Sequence, residues 1–182
     1  MIQYIYQKWG YKMNNLKLVI IDEYYCDYLR NFDSKVPYNY GKKDTRPFIG
    51  VLFNVDNVEY FAPLSSPKAK HLTMKSRIDF LKVDGGNLGV VNFNNMIPVT
   101  PNNYGVVNLN RKTNTLNELK YLLLLQNQYK WLNAHCDVIK NRAQNLYNKY
   151  NSKKLPQIIY DRCCNFKLLE KACKQYNTTK EL

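Results

Sequence analysis

Two β-prone runs separated by a short polar turn constrain the fold of this chain more than any other feature. Residues 48–55 and 58–64 are rich in β-branched and aromatic side chains, and only Asp56-Asn57 stands between them. This pattern predicts a β-hairpin closed by a two-residue turn. Because hairpin strands are antiparallel, the residues before the first strand should lie beside the residues after the second.

The second run leads directly into a polar segment with an unusual set of side chains. Residues 62–71 read APLSSPKAKH, and the proline at position 67 should stiffen this short loop. Hydroxyl and ammonium groups on a stiff loop can donate hydrogen bonds and positive charge to a phosphate. The segment therefore predicts a phosphodiester site, with Lys68 stabilising negative charge and Ser65 and Ser66 as hydroxyl donors.

A polar loop before the first hairpin strand should contribute to the same site. Residues 36–47 combine proline, glycine and asparagine with tyrosine, lysine and arginine, a composition typical of a surface loop. The antiparallel hairpin brings the end of this loop beside the end of the second strand. Arg46 is therefore expected near Ser65, Ser66 and Lys68. There its guanidinium could hold a phosphate through two parallel hydrogen bonds.

The general acid and the general base are harder to assign from residue types. His71 has the intrinsic pKa for either role and the right neighbourhood, and a surface-loop histidine without chemistry is the equal alternative. Tyr25 or Tyr40 could position a ribose hydroxyl or stack a base, and core packing is the alternative for Tyr25. A nucleophilic Ser–Lys hydrolase is disfavoured because no glycine turn adjoins the serines.

The remaining patterns indicate one mixed α+β domain of residues 16–182 after an N-terminal extension of residues 1–15. Residues 17–21 predict a buried strand, and Asp22 can cap a helix over residues 23–32. Further short strands of an antiparallel sheet are expected at residues 78–83, 88–93 and 96–99, with the Gly-Gly pair at 85–86 as a turn.

The last third of the chain should be helical. A capping box at Thr115 and Glu118 opens a long helical region that is expected to break near residues 133–135. Asn165 can cap a last helix over residues 166–176. One apolar stripe at helical spacing runs through Leu116, Leu119, Leu123, Leu132, Ile139, Ala143, Leu146 and Tyr150.

The charge of the chain indicates a polyanionic partner. The formal net charge is +13, and residues 111–182 carry 14 basic but only 5 acidic groups. Sixteen tyrosines add rings that can stack on bases, although a merely soluble basic surface is the alternative. The candidate RNA-binding lysines are Lys35, Lys42, Lys43, Lys70, Lys149, Lys153 and Lys154.

The cysteines and the hydropathy of the chain indicate the cellular compartment in which it works. The five cysteines are odd in number and none has Cys-x-x-Cys spacing, which argues against a disulfide framework and a zinc site. No secretion signal is evident, and the run YLLLL at residues 121–125 is far too short to span a membrane. A reduced, cytoplasmic setting with no metal or cofactor is expected.

Taken in order, several short motifs resemble the ToxN/AbiQ family of endoribonuclease toxins from type III toxin–antitoxin systems. The resemblance spans about residues 16–176 and leaves residues 1–15 outside it. The motif APLSSPK, with an upstream FIG strand and a terminal CNF, is quite specific. The matching stretches are FDSKVP (32–37), RPFIG (46–50), YFAPLSSPK (60–68), LGVVNF with MIPV (88–99) and CNFKLLE (164–170).

This resemblance implies a twisted antiparallel sheet similar to the MazF/Kid toxin fold, partly barrel-like and packed with helices. It also implies metal-independent cleavage of cellular mRNA that leaves 2′,3′-cyclic phosphate and 5′-hydroxyl ends. The partner would be a repeated RNA pseudoknot antitoxin, which the toxin processes and with which it forms an oligomeric assembly, in a system linked to phage defence. The family's site residues correspond here to Ser65, Ser66, Lys68, Tyr25, Tyr40 and Arg46.

Two functional classes therefore remain open at the level of the sequence. One is the endoribonuclease, and the other is a non-catalytic RNA-binding module with a basic helical face and aromatic platforms. Charge and tyrosine content cannot separate the two. The clustered serines and lysines of residues 65–71 favour the enzyme, because binding alone would not need them.

Overall fold

The computed structural model describes residues 15–38 and 46–180, and side chains up to Tyr176 in the last helix. The predicted extension, apart from Asn15, and the candidate residues Tyr40, Lys42 and Lys43 lie outside these ranges. The described strands are β1 (Lys17–Ile21), β2 (Phe48–Gly50), β3 (Asn54–Val55), β4 (Val58–Ser65), β5 (Phe80–Lys82), β6 (Val90–Asn92), β7 (Ile97–Val99) and β8 (Tyr104–Val106). The described helices are α1 (Glu23–Arg30), α2 (Ala69–Thr73), α3 (Leu116–Ala134), α4 (Cys136–Asn151), α5 (Gln157–Tyr160) and α6 (Phe166–Lys180).

The sheet is antiparallel and open, and β4 is its centre. The hydrogen-bonded order is β5-β6-β4-β2-β1-β8, and β3 and β7 also pair with β4. β4 is buried at every position except Glu59 and Ser65, which are half-buried. A strand with so continuous an apolar run belongs in the covered middle of a sheet. The predicted α+β class with an antiparallel sheet is confirmed.

The predicted hairpin is also confirmed. Asp56 and Asn57 have φ values of 45° and 67°, the positive pair that a two-residue hairpin turn prefers. Val55 pairs with Val58 across the turn, so β3 and β4 form the tip of the hairpin. The first predicted strand is interrupted, because the residues between β2 and β3 are not in a regular strand.

Local capping signals place the helix starts correctly. The Asp22 carboxylate accepts a hydrogen bond from the Tyr25 backbone N–H at 2.9 Å and opens α1, which ends at Arg30 rather than at Phe32. At α3 the Thr115 hydroxyl accepts from the Glu118 backbone N–H at 3.2 Å, as a capping box requires. The predicted break between two long helices occurs at His135.

The first part of the predicted apolar stripe on α3 does not face the core. Leu116, Leu119 and Leu123 are 66%, 41% and 48% exposed. The buried residues are instead Leu122, Leu125, Gln128 and Leu132. A run of four leucines satisfies helical spacing on more than one face, so spacing alone could not choose the face that packs.

Two elements of the fold were not expected from the sequence. Residues 65–71 are not one loop, because the short helix α2 begins at Ala69 and contains His71. Strand β8 follows the turn at residues 101–103 and pairs with β1 at the edge of the sheet.

Within the described ranges, none of the helices combines the length and apolar character that crossing a bilayer requires. All five cysteines are free thiols.

A polar cluster in the core joins β4 to helices α4 and α6. One carboxylate oxygen of Glu170 accepts hydrogen bonds from the Tyr60 hydroxyl at 2.8 Å and the Tyr147 hydroxyl at 2.6 Å. The other oxygen pairs with the Lys167 ammonium at 2.9 Å. Burial raises the pKa of Tyr60 well above its ordinary value, so this hydroxyl remains a donor. Each charged or polar group of this cluster has a partner within the protein.

Candidate functional site

The antiparallel register of β2 and β4 places Arg46 beside Ser65. Phe48 pairs with Pro63, and the ladder continues because the Pro47 carbonyl accepts from the Leu64 N–H at 2.9 Å. Two residues further along, Arg46 lies opposite Ser65, and directly opposite side chains share one face of a sheet. The register therefore brings Arg46 beside Ser65, as the hairpin predicts. No described contact joins Arg46 to Ser66 or Lys68, so that part stays a prediction.

Arg46 also lines a cleft with a volume of about 250 Å³. The walls come from the loop after α1 and from the ends of β2, β4 and β6. The guanidinium is half-buried, and this burial lowers the pKa of Arg46. Within the described ranges it makes no hydrogen bond and no ion pair. The cleft is lined by Ser34, Lys35, Val36, Pro37, Tyr38, Arg46, Pro63, Asn92 and Asn95.

Asn92 joins this cleft to Ser65. It ends β6, whose Val91 pairs with Leu64, and its side-chain N–H₂ donates to the Ser65 hydroxyl oxygen at 3.0 Å. A hydroxyl that accepts one hydrogen bond retains its own proton for another acceptor. Asn92 therefore orients the Ser65 O–H as a donor. Sequence reasoning did not single out Asn92 as a site residue, because its contact depends on the β4–β6 register.

The segment after Ser65 presents its side chains to solvent. Ser66 and Lys68 are exposed, and the buried ring of His71 holds the backbone below them. The Lys68 N–H donates to the His71 Nδ1 at 3.2 Å, and the His71 N–H donates to the Lys68 carbonyl at 2.8 Å. This reciprocal pair fixes the backbone from which the Lys68 side chain extends.

His71 lies in α2 and is buried, so the alternative of a surface-loop histidine is wrong, and its position lends no support to a role as acid or base. The side chain is only 3% exposed, and Nδ1 is occupied by the Lys68 N–H. Burial lowers the pKa of His71, and the charges of Lys68, Lys70 and Lys82 lower it further. The ring is therefore neutral near pH 7, and its contacts are those of a positioning residue. The three lysines also indicate a strongly positive corner.

Two glycines allow the turn after β5 to pack against this segment. Gly89 has a φ of +96°, and a Cβ built on it would lie 1.9 Å from the Ser65 carbonyl oxygen. Gly86 has a φ of +106°, and its Cβ would lie 2.5 Å from the His71 carbonyl oxygen. Gln128 of α3 donates to the Leu88 carbonyl at 2.7 Å and holds the same turn. The turn therefore braces the Ser65–His71 backbone.

Tyr25 lies in the core and does not line the cleft, so its position lends no support to the predicted catalytic role. Its side chain is fully buried, and its hydroxyl donates to the Pro98 carbonyl at 2.6 Å. Burial raises the pKa of Tyr25 far above its ordinary value. Its ring packs edge-on against Tyr176 at a centroid distance of 5.1 Å. The core-packing alternative therefore describes Tyr25.

The described candidate lysines fall into two groups. Lys35 lines the cleft, where its ammonium donates to the Cys163 carbonyl at 2.6 Å. Lys70 is exposed on α2, two residues after Lys68. Lys149, Lys153 and Lys154 are exposed at the C-terminal end of α4, and no described contact joins them to residues 65–71. Within residues 15–38 and 46–176, no group of three or more metal-ligating side chains is clustered.

Comparisons with known proteins match most of the chain in sequence and in fold. The model of the family "Toxin ToxN, type III toxin-antitoxin system" matches residues 17–174. The endoribonuclease ToxN of Bacillus thuringiensis subsp. kurstaki is 31% identical over 167 residues, which cover 90% of this chain and 85% of the relative.

Two solved structures have a similar fold. One comes from work on selective toxin inhibition by a non-coding RNA pseudoknot in bacterial type III systems. It has a TM-score of 0.76 and 29% identity, and the match covers 90% of this chain and 98% of that chain. The other is AbiQ, a lactococcal anti-phage endoribonuclease of a type III system. It has a TM-score of 0.75 and 25% identity, with 90% and 99% coverage.

Proposed function

The chain belongs to the ToxN family of type III toxin–antitoxin systems, and on this premise we propose that it is an endoribonuclease toxin that cleaves single-stranded RNA with some sequence preference. The observation that carries the proposal is the half-buried Arg46, which has no counter-charge among the described residues and lies beside Ser65. A desolvated cation is costly unless an anion pairs with it. The phosphodiester backbone of RNA supplies such an anion.

The proposed reaction is an internal transesterification that needs no metal ion. The ribose 2′-oxygen forms a bond to phosphorus while the bond from phosphorus to the 5′-oxygen breaks. The 2′-hydroxyl loses a proton and the leaving 5′-oxygen gains one, so the products are a 2′,3′-cyclic phosphate and a 5′-hydroxyl. The transition state carries extra negative charge on the phosphoryl oxygens, and fixed donors and cations lower its energy.

Each residue of the strand end has a defined role in this proposal. Lys68 supplies positive charge to the phosphoryl oxygens, and Ser65 and Ser66 donate hydrogen bonds to them. Arg46 binds a phosphate from the cleft side. His71 positions the Lys68 backbone and does not transfer protons, because its ring is buried and its Nδ1 is occupied. Tyr40 remains a candidate from the family resemblance alone.

We further propose that a repeated RNA pseudoknot inhibits the toxin and is processed by it. Support comes from the solved relative that is described with a pseudoknot inhibitor and from the basic C-terminal part of this chain. Lys149, Lys153 and Lys154 are exposed and available for phosphate contacts. Charge reversal at these three lysines should weaken antitoxin binding and reduce its salt dependence. Unchanged affinity would remove this end of α4 from the interface.

Other expectations remain proposals. Residues 16–182 are proposed to form a single domain that is related to the MazF/Kid toxins, with an open sheet in place of the partly barrel-like one that the resemblance implies. The toxin is proposed to act in the cytoplasm, where its mRNA substrates are. Five free thiols and an eight-stranded antiparallel sheet among the described residues support these proposals.

The alternative function is a non-catalytic RNA-binding module, and growth assays separate the two. Induced expression in a bacterial host should arrest growth, and Lys68→Ala should relieve the arrest at equal protein level. Lys130 is a matched control, because it is exposed on α3 and does not line the cleft. Arrest by Lys68→Ala as strong as that by the wild type would favour toxicity through binding alone.

A further inference from the structure

Tyr38 forms an aromatic wall of the cleft, and the sequence assigned it no role. It lines the same cleft as Arg46 and Asn92, and 47% of its side chain remains exposed. Most other tyrosines that pack on the core show less surface, for example the fully buried Tyr25 and Tyr60. A large ring that is half-exposed at a phosphate-binding cleft is a surface on which a nucleobase can stack.

The ring of Tyr38 is held in place by Arg30. The Arg30 guanidinium carbon lies 4.1 Å from the centre of the Tyr38 ring, within the range of a cation–π contact. Arg30 is itself fixed, because it pairs with Asp27 and donates to the Val36 carbonyl at 3.2 Å and the Pro37 carbonyl at 2.8 Å. This clamp joins α1 to the loop that carries Tyr38, so the ring is oriented before a ligand arrives.

We infer that Tyr38 is a stacking platform for an unpaired nucleobase of the RNA strand, next to the phosphate held by Arg46. The inference rests on the proposed function, since it assigns a base subsite to the same cleft. The cleft of about 250 Å³ is smaller than a typical ligand pocket, so it suits a single base rather than a folded element. A platform that reads the π-face tolerates several bases and mainly adds affinity.

A purely structural role for Tyr38 is the rival explanation. In that case the Arg30 contact only shapes the loop, and replacing the ring would disturb Lys35 and Arg46 whether or not the RNA carries bases. The two explanations differ in one respect. A platform requires a base on the ligand, whereas a misplaced loop affects phosphate binding alone.

The test measures binding of non-cleavable RNA to four proteins. Twelve-nucleotide 2′-fluoro oligomers of each base lack the attacking hydroxyl, and an abasic oligomer with the same backbone lacks the stacking partner. Dissociation constants are measured by fluorescence anisotropy for the wild type, Tyr38→Ala, Tyr38→Phe and Tyr24→Ala. Tyr24 is the matched control, because it is 72% exposed on α1 and does not line the cleft.

For the tightest-binding base, Tyr38→Ala should weaken binding by about 5- to 150-fold, which corresponds to the loss of one base–aromatic stack. Tyr38→Phe keeps the ring and should bind within about twofold of the wild type, as should Tyr24→Ala. With the abasic oligomer, the wild type and Tyr38→Ala should bind equally, because the coupling between ring and base is gone.

Three results would overturn the platform. The first is that Tyr38→Ala binds the RNA as tightly as the wild type does. The second is that Tyr38→Ala loses as much affinity for the abasic oligomer as for the oligomer with bases. The third is that the wild type does not bind RNA. Cleavage of a matching oligomer with 2′-hydroxyl groups is scored separately. Base-dependent binding through Tyr38 without any cleavage would keep the platform and reject the ribonuclease.

Discussion

Two polar regions of this protein contain similar side chains but differ in whether those side chains have partners within the protein. In the cluster around Glu170, the Tyr60 and Tyr147 hydroxyls and the Lys167 ammonium all meet one carboxylate. At the end of β4, the described contacts give no carboxylate to Arg46 or Lys68. The first region is complete without a ligand, whereas the second has no counter-charge among the described residues and is proposed to gain one from RNA.

This difference separates structural polar groups from functional ones. A buried polar group that is fully partnered stabilises one packing arrangement and has nothing left to offer a substrate. A fixed cation or hydroxyl without an internal partner is preorganised for an external one. Stability should therefore depend on the Glu170 cluster, and RNA cleavage should depend on the β4 end. A substitution in one region should have little effect on the property that depends on the other.

The largest expected effect is on cleavage by Lys68→Ala. Removing one fixed donor to the transition state lowers the rate constant by about 10²- to 10³-fold in comparable sites. Lys68 is exposed, so the free energy of unfolding should change little. Single-turnover cleavage and urea unfolding should be measured on the same preparation, with Lys130→Ala as the control. Cleavage within threefold of the wild type would remove Lys68 from the site.

Glu170→Ala should show the reverse pattern. The substitution leaves the buried Tyr60 hydroxyl without its short acceptor and should lower the free energy of unfolding by about 2–4 kcal/mol. Cleavage per folded molecule should be unchanged. Lys174→Ala is a contrasting control, because it breaks an ion pair with Asp56 in which both side chains are more than half exposed, and stability should barely change. If Glu170→Ala and Lys174→Ala lowered the free energy of unfolding equally, the Glu170 cluster would not have the structural role assigned to it.

Asn92 offers a smaller effect that sharpens the comparison. Asn92→Ala removes the donor that orients the Ser65 hydroxyl, so kcat should fall by about 2- to 12-fold with KM nearly unchanged. Asn92→Asp should lower kcat more than Asn92→Ala does, because it places a negative charge in the cleft that is proposed to bind phosphate. An Asn92→Asp enzyme as active as the wild type would contradict the orientation of Ser65 and the anionic ligand together.

The smallest expected effect is a pH dependence of stability from His71. Because burial lowers the pKa of His71 in the folded state, the unfolded chain takes up this proton first, near its ordinary pKa of about 6.5. The contribution to stability is full above that pH and is lost as the pH falls below it. His71→Asn keeps an acceptor near the Lys68 N–H but does not titrate. It should therefore lose less stability between pH 7 and pH 5, measured by urea unfolding, and equal losses would be contrary to this account of the histidine.

Sequence reasoning succeeded where the determinants are close together in the chain. The Asp56-Asn57 turn, the Asp22 cap and the Thr115 capping box each depend on residues within a few positions, and all three are confirmed. The neighbourhood of Arg46 and Ser65 followed from the antiparallel pairing of the same hairpin.

Sequence reasoning failed where distant parts of the chain decide. The hydrogen bond between Asn92 and Ser65 joins residues that are 27 positions apart on two paired strands. The close approach of Gly89 to the Ser65 backbone depends on a turn that α3 holds in place. The burial of Tyr25 and His71 is likewise decided by what packs over them. Residue type identified the chemistry of these side chains but could not show whether they would be exposed.

One experiment tests most directly whether the β4 end is a catalytic site. Purified protein, shown to carry no bound RNA, is incubated with single-stranded RNA in excess EDTA, and the new 3′ ends are identified by mass. We predict cleavage that leaves 2′,3′-cyclic phosphate ends and that is lost in Lys68→Ala. Intact RNA, or 3′-hydroxyl ends that form only when a divalent cation is added, would contradict the proposed site and favour a binding module.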